Sequence, residues 1–303
     1  MFAIKKSFII LYLLSLCKRI FGTKSQNELF LSTLNGKIIG GHPVRIESFP
    51  FSVLFFNDGS VCSGVILNSL SLLTAAHCFQ VNKNKEKMEI AIGSRYVHDY
   101  DAEIFEVLSI VIHEDYSKIM PFASDIALIF LKESIKFDEK KQRAVLVSNE
   151  DWMKCDNDED WKKCKDQDNV VAVGWGWTKY GGSLSELGLL QTTLRYVPRQ
   201  ECEKLHGMRL AEDMFCLYGD AARDTCRGDS GGGVLWNGSV IGIVSHGNGC
   251  AKKDKPSVYI SVYYHRQWIE RQIKNFTKNY CKLKSLDSYN QEHKLEKLTI
   301  WML

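Results

Sequence analysis

Proline is scarce in this chain of 303 residues, with five in all, and its 22 glycines are spread out. Collagen-like and low-complexity architectures are thereby excluded. The ten cysteines include no CxxC pair, so a structural zinc site lacks its usual ligand spacing. Beyond the N-terminal region no segment reaches the ~20 consecutive apolar residues that a membrane-spanning helix needs. A basic excess is missing as well. Of 39 basic and 36 acidic residues, positions 1–37 hold six and one, which leaves 33 against 35 and a net charge of −2 from Ile38 onward. Nucleic acid is therefore not an expected partner. What remains is 45% hydrophobic and 25% charged, an ordinary globular composition with enough chain for one large domain or two modest ones.

The N-terminus is different. Lys5 and Lys6 precede the apolar run "SFIILYLLSLC", which has the charge and length of a signal-peptide core. Cleavage would follow Cys17 or fall near Gly22, so residues 1–22 are read as a signal peptide; an N-terminal membrane anchor is the alternative reading of the same run. A secreted, extracellular protein with no membrane association is the expectation. The other nine cysteines, at 62, 78, 155, 164, 202, 216, 226, 250 and 281, would then sit in an oxidising compartment and pair, with one left over.

Between Ile38 and Ser148 the chain carries short runs rich in Val, Ile, Leu and Phe: "FPFSVLFF", "CSGVIL", "SLLTAA", "EIAIG", "IFEVLSIVIH" and "IALIFL". Turn-forming stretches such as "NDGS" separate several of them, the pattern of a compact all-β unit. From Asn169 to Val262 the pattern resumes with "VVAVGWG", "LLQTTLRYV", "GGVLW", "SVIGIVSHG" and "SVYISV", and "WNGS" is a hairpin signal. The polar stretch between the two units, "NEDWMKCDNDEDWKKCKDQDN", reads as a connecting loop in which Cys155 and Cys164 lie close enough to form a staple. A closing helix is predicted in "YYHRQWIERQIKNF", where Trp268, Ile269, Ile273 and Phe276 share one face. Residues 277–303 form a polar tail.

One stretch concentrates chemistry. "DTCRGDSGGGV", residues 224–234, surrounds Ser230 with glycines, as a sharply bent or closely approached backbone requires. A serine hydroxyl attacks only when a base takes its proton, and a histidine base needs a buried carboxylate to fix its tautomer. "LLTAAHCF" sets His77 directly after an apolar strand, and "SDIALIFL" sets Asp125 at the start of another, where an unpaired carboxylate is costly. Each alone is weak, since a histidine near a core strand is more often structural.

Together, "TAAHC", "DIAL" and "GDSGG", in that order, resemble the chymotrypsin/trypsin family of serine peptidases. "KIIGG" at 37–41, "GWG" at 174–176, "MFC" at 214–216 and "PSVY" at 256–259 extend the resemblance over Ile38 to Phe276. It implies an all-β fold of two antiparallel β-barrels packed together, with a C-terminal α-helix and the active site in the cleft. Ser230 would be the nucleophile, His77 the general base and then acid, and Asp125 the orienting carboxylate. The N–H groups of Gly228 and Ser230 would form the oxyanion hole, and Ser245 would lie beside Asp125. Cleavage after Lys37 would free the amino group of Ile38 to pair with Asp229, making residues 23–37 a propeptide and 38–276 the peptidase domain. The expected partners are protein or peptide substrates, an activating trypsin-like protease and protein protease inhibitors. No cofactor and no metal are expected, since the paired acids of the calcium loop found in some relatives are lacking.

The same resemblance pairs Cys62 with Cys78, Cys202 with Cys216, and Cys226 with Cys250. Trp236 stands where many relatives carry a cysteine, so Cys155–Cys164 is the preferred fourth bond, leaving Cys281 unpaired or linked to another chain. Asp224, six positions before the nucleophile, would lie at the base of the substrate pocket and select Arg or Lys. Three departures bear on that pocket: Ser257 replaces a customary glycine on its wall, His246 replaces a tryptophan that serves as an apolar shelf, and Gly233 replaces a proline. Gly247 is kept. The expectation is a basic-residue-directed endopeptidase of lowered or altered activity; the alternative is a protease-like binding protein without catalysis. "NGS" and "NFT" mark Asn237 and Asn275 as glycosylation sites.

Overall fold

The computed structural model describes residues 38–100, 102–149 and 169–280. Cys155, Cys164, Cys281 and Lys37 lie outside the described residues. Six apolar runs of the first unit become strands β2 (Ser52–Asn57), β3 (Ser60–Asn68), β4 (Ser71–Thr74), β5 (Met88–Ile92), β6 (Glu103–Ile112) and β7 (Ala127–Leu131). They close into an antiparallel barrel in the order β2-β3-β4-β7-β6-β5. The turn between β2 and β3 is set by sequence: Asn57 faces Ser60 in the ladder, and Asp58 and Gly59 between them take φ values of 48° and 84°. Positive φ at both positions is the hairpin geometry that matches strand twist.

The second barrel contains β8 (Val170–Gly174), β9 (Leu190–Val197), β10 (Met214–Tyr218), β11 (Gly233–Trp236), β12 (Ser239–His246) and β13 (Ser257–Ser261). Their order is β9-β10-β13-β12-β11-β8, closed by pairing of β8 with β9, and a two-residue strand β1 (His42–Pro43) adds to β9. The "WNGS" hairpin forms by the same device, with Asn237 and Gly238 at φ 48° and 76° between the paired Trp236 and Ser239. Two closed barrels are thus present, as the resemblance implies. Two short elements lie outside the strand pattern read from the sequence: β10, and helix α1 (Arg199–His206), which buries only Cys202 and ends on Gly207 in the left-handed region. A second helix, α2, covers 266–280. Trp268 and Ile269 on it are buried, and Phe276 stacks on Phe130 of β7 at 4.0 Å between ring centres.

Three disulfides join Cys62 to Cys78, Cys202 to Cys216 and Cys226 to Cys250. The first ties β3 to the 3-10 turn Ala76–Phe79 that follows β4. The last ties the turn before β11 to the loop after β12, across the mouth of the cleft described next. No helix among the described residues is long and apolar enough to cross a membrane.

Candidate active site

His77 and Asp125 come from the first barrel, Ser230 and Ser245 from the second. His77 sits in the turn after β4, and Asp125 stands two residues before β7. Asp125 is fully buried and engages His77 twice: Oδ1 accepts the backbone N–H of His77 at 2.8 Å, and Oδ2 lies 2.8 Å from Nδ1. Ser245 Oγ donates to the same Oδ2 at 2.5 Å. A carboxylate can only accept, so the proton between Asp125 and the imidazole belongs to Nδ1 of His77, leaving Nε2 with its lone pair. A buried carboxylate with three donors is satisfied where a solitary one would be costly.

Ser230 occupies the turn between β10 and β11. Its carbonyl accepts from Ser63 N at 2.7 Å, and Ser63 Oγ donates to Gly228 O at 2.8 Å, so β3 of the other barrel holds the turn from both sides. Glycine is required next to it. Gly231 has φ 81°, and a Cβ there would stand 2.2 Å from Thr74 Oγ1 and 2.5 Å from Ser63 O. Ser230 and His77 line one cleft of about 390 Å³, together with Phe122, His246, Ser257 and Arg227. No hydrogen bond links Ser230 Oγ to His77, a looseness common where a catalytic contact tightens only with substrate in place.

The preceding Asp229 is fully buried behind this turn. Its Oδ1 accepts from Gly176 N and its Oδ2 from Cys226 N, each at 2.8 Å. Burial still pushes its carboxyl up to about 7, against the pull of those two N–H groups. Gly174 and Gly176 make the approach feasible, since a Cβ on either would fall within 2.3 Å of an Asp229 oxygen. Ile38 is also fully buried.

Asp224 is buried too, and its carboxyl is lifted to about 6, chiefly by that burial. Ala251 N and Thr225 N donate to it at 2.7 and 2.9 Å, and these N–H groups, with the nearby Ser257 hydroxyl, favour the charged form. Asp224 is not itself on the cleft lining, whereas its neighbours Thr225 and Cys226 and its partner Ser257 are. The Asp224 backbone N–H donates to Ile39 O at 3.1 Å, joining this residue to the segment after Lys37.

His246 departs from the expected loss of an apolar shelf. Its ring stacks on Phe122 at 4.3 Å and 17°, and Phe122 meets the His77 ring edge-on at 6.0 Å. Burial lowers the His246 imidazole to about 4, so at neutral pH it is uncharged. Ser245 spends its one proton on Asp125, so the 3.0 Å contact between Ser245 Oγ and His246 Nδ1 requires His246 to donate. A flat aromatic surface therefore survives, with Phe122 supplying part of it. Phe122, at φ 62° in "MPFAS", carries no motif that points to this role. Gly247 faces the same wall: a Cβ on it would stand 2.9 Å from Ser257 Oγ.

Two His/Cys groupings, Cys62–His77–Cys78 and Cys202–His206–Cys216, are the metal-spaced clusters among the described residues, but their cysteines are joined as disulfides and offer no thiolate. Acyl transfer is the chemistry this cleft can perform.

Two barrels with a glycine-walled serine and a carboxylate-held histidine facing one cleft define the class of two-barrel serine hydrolases. Comparison with known proteins narrows this. The trypsin family model matches residues 38–269. Trypsin epsilon of Drosophila erecta is 31% identical over 245 residues, covering 80% of this chain and 89% of the relative. Trypsin alpha-4 of Lucilia cuprina is 30% identical with the same coverages, and Trypsin II-P29 of Gallus gallus is 30% identical over 78% of this chain and 89% of its own. The chain belongs to the trypsin family and is a serine endopeptidase.

Proposed function

We propose that the protein is a secreted zymogen which, once cut after Lys37, hydrolyses peptide bonds after Arg or Lys through Ser230, His77 and Asp125. The observation that carries this reading is the double grip of Asp125 on His77, 2.8 Å to the backbone N–H and 2.8 Å to Nδ1, in the cleft that Ser230 lines. With Nδ1 protonated, Nε2 of His77 takes the proton of Ser230 as Oγ attacks the substrate carbonyl. The N–H groups of Gly228 and Ser230 receive the developing oxyanion, each donor contributing roughly 3 kcal/mol to the transition state. His77 then protonates the leaving amine. Water, deprotonated by the same imidazole, releases the acyl group. Asp125 holds the imidazolium throughout.

Activation rests on Asp229. A carboxyl lifted to about 7 by burial is only about half charged at neutral pH, and a buried charge persists only when paired. The amino group of Ile38, freed by cleavage, supplies that pair and draws the turn that carries Gly228 and Ser230 into its working form. For specificity, Asp224 attracts a basic side chain, while the Ser257 hydroxyl both narrows the pocket and competes for the carboxylate. A peptidase of reduced activity toward Arg and Lys follows. Asn237 and Asn275, both exposed, are the proposed glycan attachment points. Labelling by a fluorophosphonate after limited cleavage with trypsin tests the whole reading. Labelling of the cut protein, absent in Ser230→Ala and in uncut Lys37→Gln, is the expected result; an unlabelled cut protein favours a binding protein that has lost catalysis.

A further inference from the structure

A second buried Asp–His pair lies away from the cleft. Asp213, just before β10, and His265, between β13 and α2, are each 3% exposed, with His265 Nε2 at 2.9 Å from Asp213 Oδ2. The same oxygen accepts the backbone N–H of Ser124 at 2.8 Å. Ser124 immediately precedes Asp125, belongs to the other barrel, and takes φ 53°, close behind Phe122 at φ 62°. A left-handed serine is disfavoured on its own and persists only where its surroundings over-determine it. Here the surroundings are explicit. Asp213 grips the Ser124 N–H, Ile126 N donates to Ser124 O at 2.8 Å, and His113 N donates to Ile126 O at 3.0 Å. Asp213 is itself anchored, because its carbonyl accepts from Ser261 N of β13 at 2.8 Å. His265 is packed edge-on against the His113 ring at 4.8 Å.

We propose that Asp213 is a positioning residue for the active-site carboxylate: oriented by His265, it holds the Ser124 amide across the barrel boundary and so fixes where Asp125 meets His77. The proposal rests on the catalytic reading of His77, Asp125 and Ser230. Removing the grip leaves Ser124 N–H without its partner and frees the strained turn to relax. Asp125 would then move relative to the imidazole while the pocket walls of the second barrel, which receive the basic side chain, stay in place, so turnover suffers and binding at that pocket does not.

Asp213→Ala and Asp213→Asn separate this from a general packing role, because the asparagine carbonyl can keep both acceptor contacts without the charge. Two measurements are made on the activated enzyme: kcat and KM per folded molecule, and the downfield proton resonance of His77 Nδ1–H. The expected result is a kcat loss of about tenfold or more for Asp213→Ala with KM within twofold, a shifted or broadened His77 resonance, and recovery of both in Asp213→Asn. An alanine variant with kcat within twofold and an unmoved resonance overturns the proposal, as does an asparagine variant as impaired as the alanine one. Should Asp213→Ala fail to fold, His265→Phe frees the Asp213 carboxylate to rotate: a kcat loss of threefold or more supports the clamp, and an unchanged kcat refutes it. A wild-type protein that shows the His77 resonance yet hydrolyses no peptide refutes the catalytic reading instead, and the resonance in Asp213→Ala still decides the clamp.

Discussion

Replacing Ser257 with glycine isolates what the crowded pocket does. Ser257 is buried in β13, and its hydroxyl lies against Gly247 while also favouring the charged form of Asp224. An extra hydroxymethyl in a packed site opposes entry of a long basic side chain by ~1–3 kcal/mol, which is roughly a 5- to 150-fold change in kcat/KM at 1.36 kcal/mol per decade. Two effects act against the gain. Asp224, already lifted to about 6, loses a neighbouring hydroxyl that favours its charged form and rises further, so the benefit shrinks near pH 6 and is fullest at pH 8. A glycine within a strand also lowers stability by roughly 0.5–1 kcal/mol. The assay compares kcat/KM of activated wild type and variant at pH 6 and pH 8, on peptides that differ only in Arg, Lys or Phe before the cleaved bond. About a tenfold gain for Arg and Lys at pH 8, smaller at pH 6 and smaller for Phe, is expected. No gain for Arg or Lys at pH 8 would show that Ser257 does not limit the pocket.

Two further predictions concern the buried carboxylates. Asp125→Asn offers one acceptor to donors that now use two oxygens, and an amide nitrogen facing His77 Nδ1 forces the ring proton onto Nε2. That tautomer cannot accept from Ser230, so kcat should fall by about 10⁴, roughly 5 kcal/mol; a variant within tenfold of wild type contradicts this. In the uncut protein, Asp229 and Asp224 titrate near 7 and 6, above their ordinary value of 3.8. The native state therefore holds more protons than the unfolded chain between about pH 4 and 7. Their contribution to stability is fullest below pH 4 and is lost as pH rises through 6 and 7, by ~4 kcal/mol for Asp229 alone. Cleavage after Lys37 gives Asp229 a cation and should flatten that slope, which urea unfolding of the cut and uncut Ser230→Ala protein at pH 5 and pH 8 will measure. Identical pH dependence in the two forms would refute the pairing.

The first barrel was legible because its six strands are apolar runs, several of them separated by turn signals, and "NDGS" demands the φ values that close a hairpin. β10 escaped because "MFCLY" is a short apolar run that periodicity alone cannot assign to a strand or a buried helix. The eight residues of α1 bury only Cys202, so no periodicity betrays them. Within the site, His77, Asp125 and Ser230 could be picked out because the chemistry demands their residue types in an apolar setting. Phe122, Asp213 and His265 could not. Their roles depend on a left-handed turn and on contacts across the barrel boundary, and neither leaves a repeat or a spacing in the sequence. Ser257 was legible as a pocket residue, but the lifted carboxyl of Asp224 is a product of burial.

Asp125 takes its donors from both halves of the molecule: the His77 N–H groups from one barrel and the Ser245 hydroxyl from the other. Either barrel could keep its hydrogen-bonded ladders intact and the carboxylate would still lose its setting if the two slid by an ångström. Catalytic competence is therefore a gauge of how the halves are seated. On gradual warming, hydrolysis should fade while the strand signal in circular dichroism is still complete.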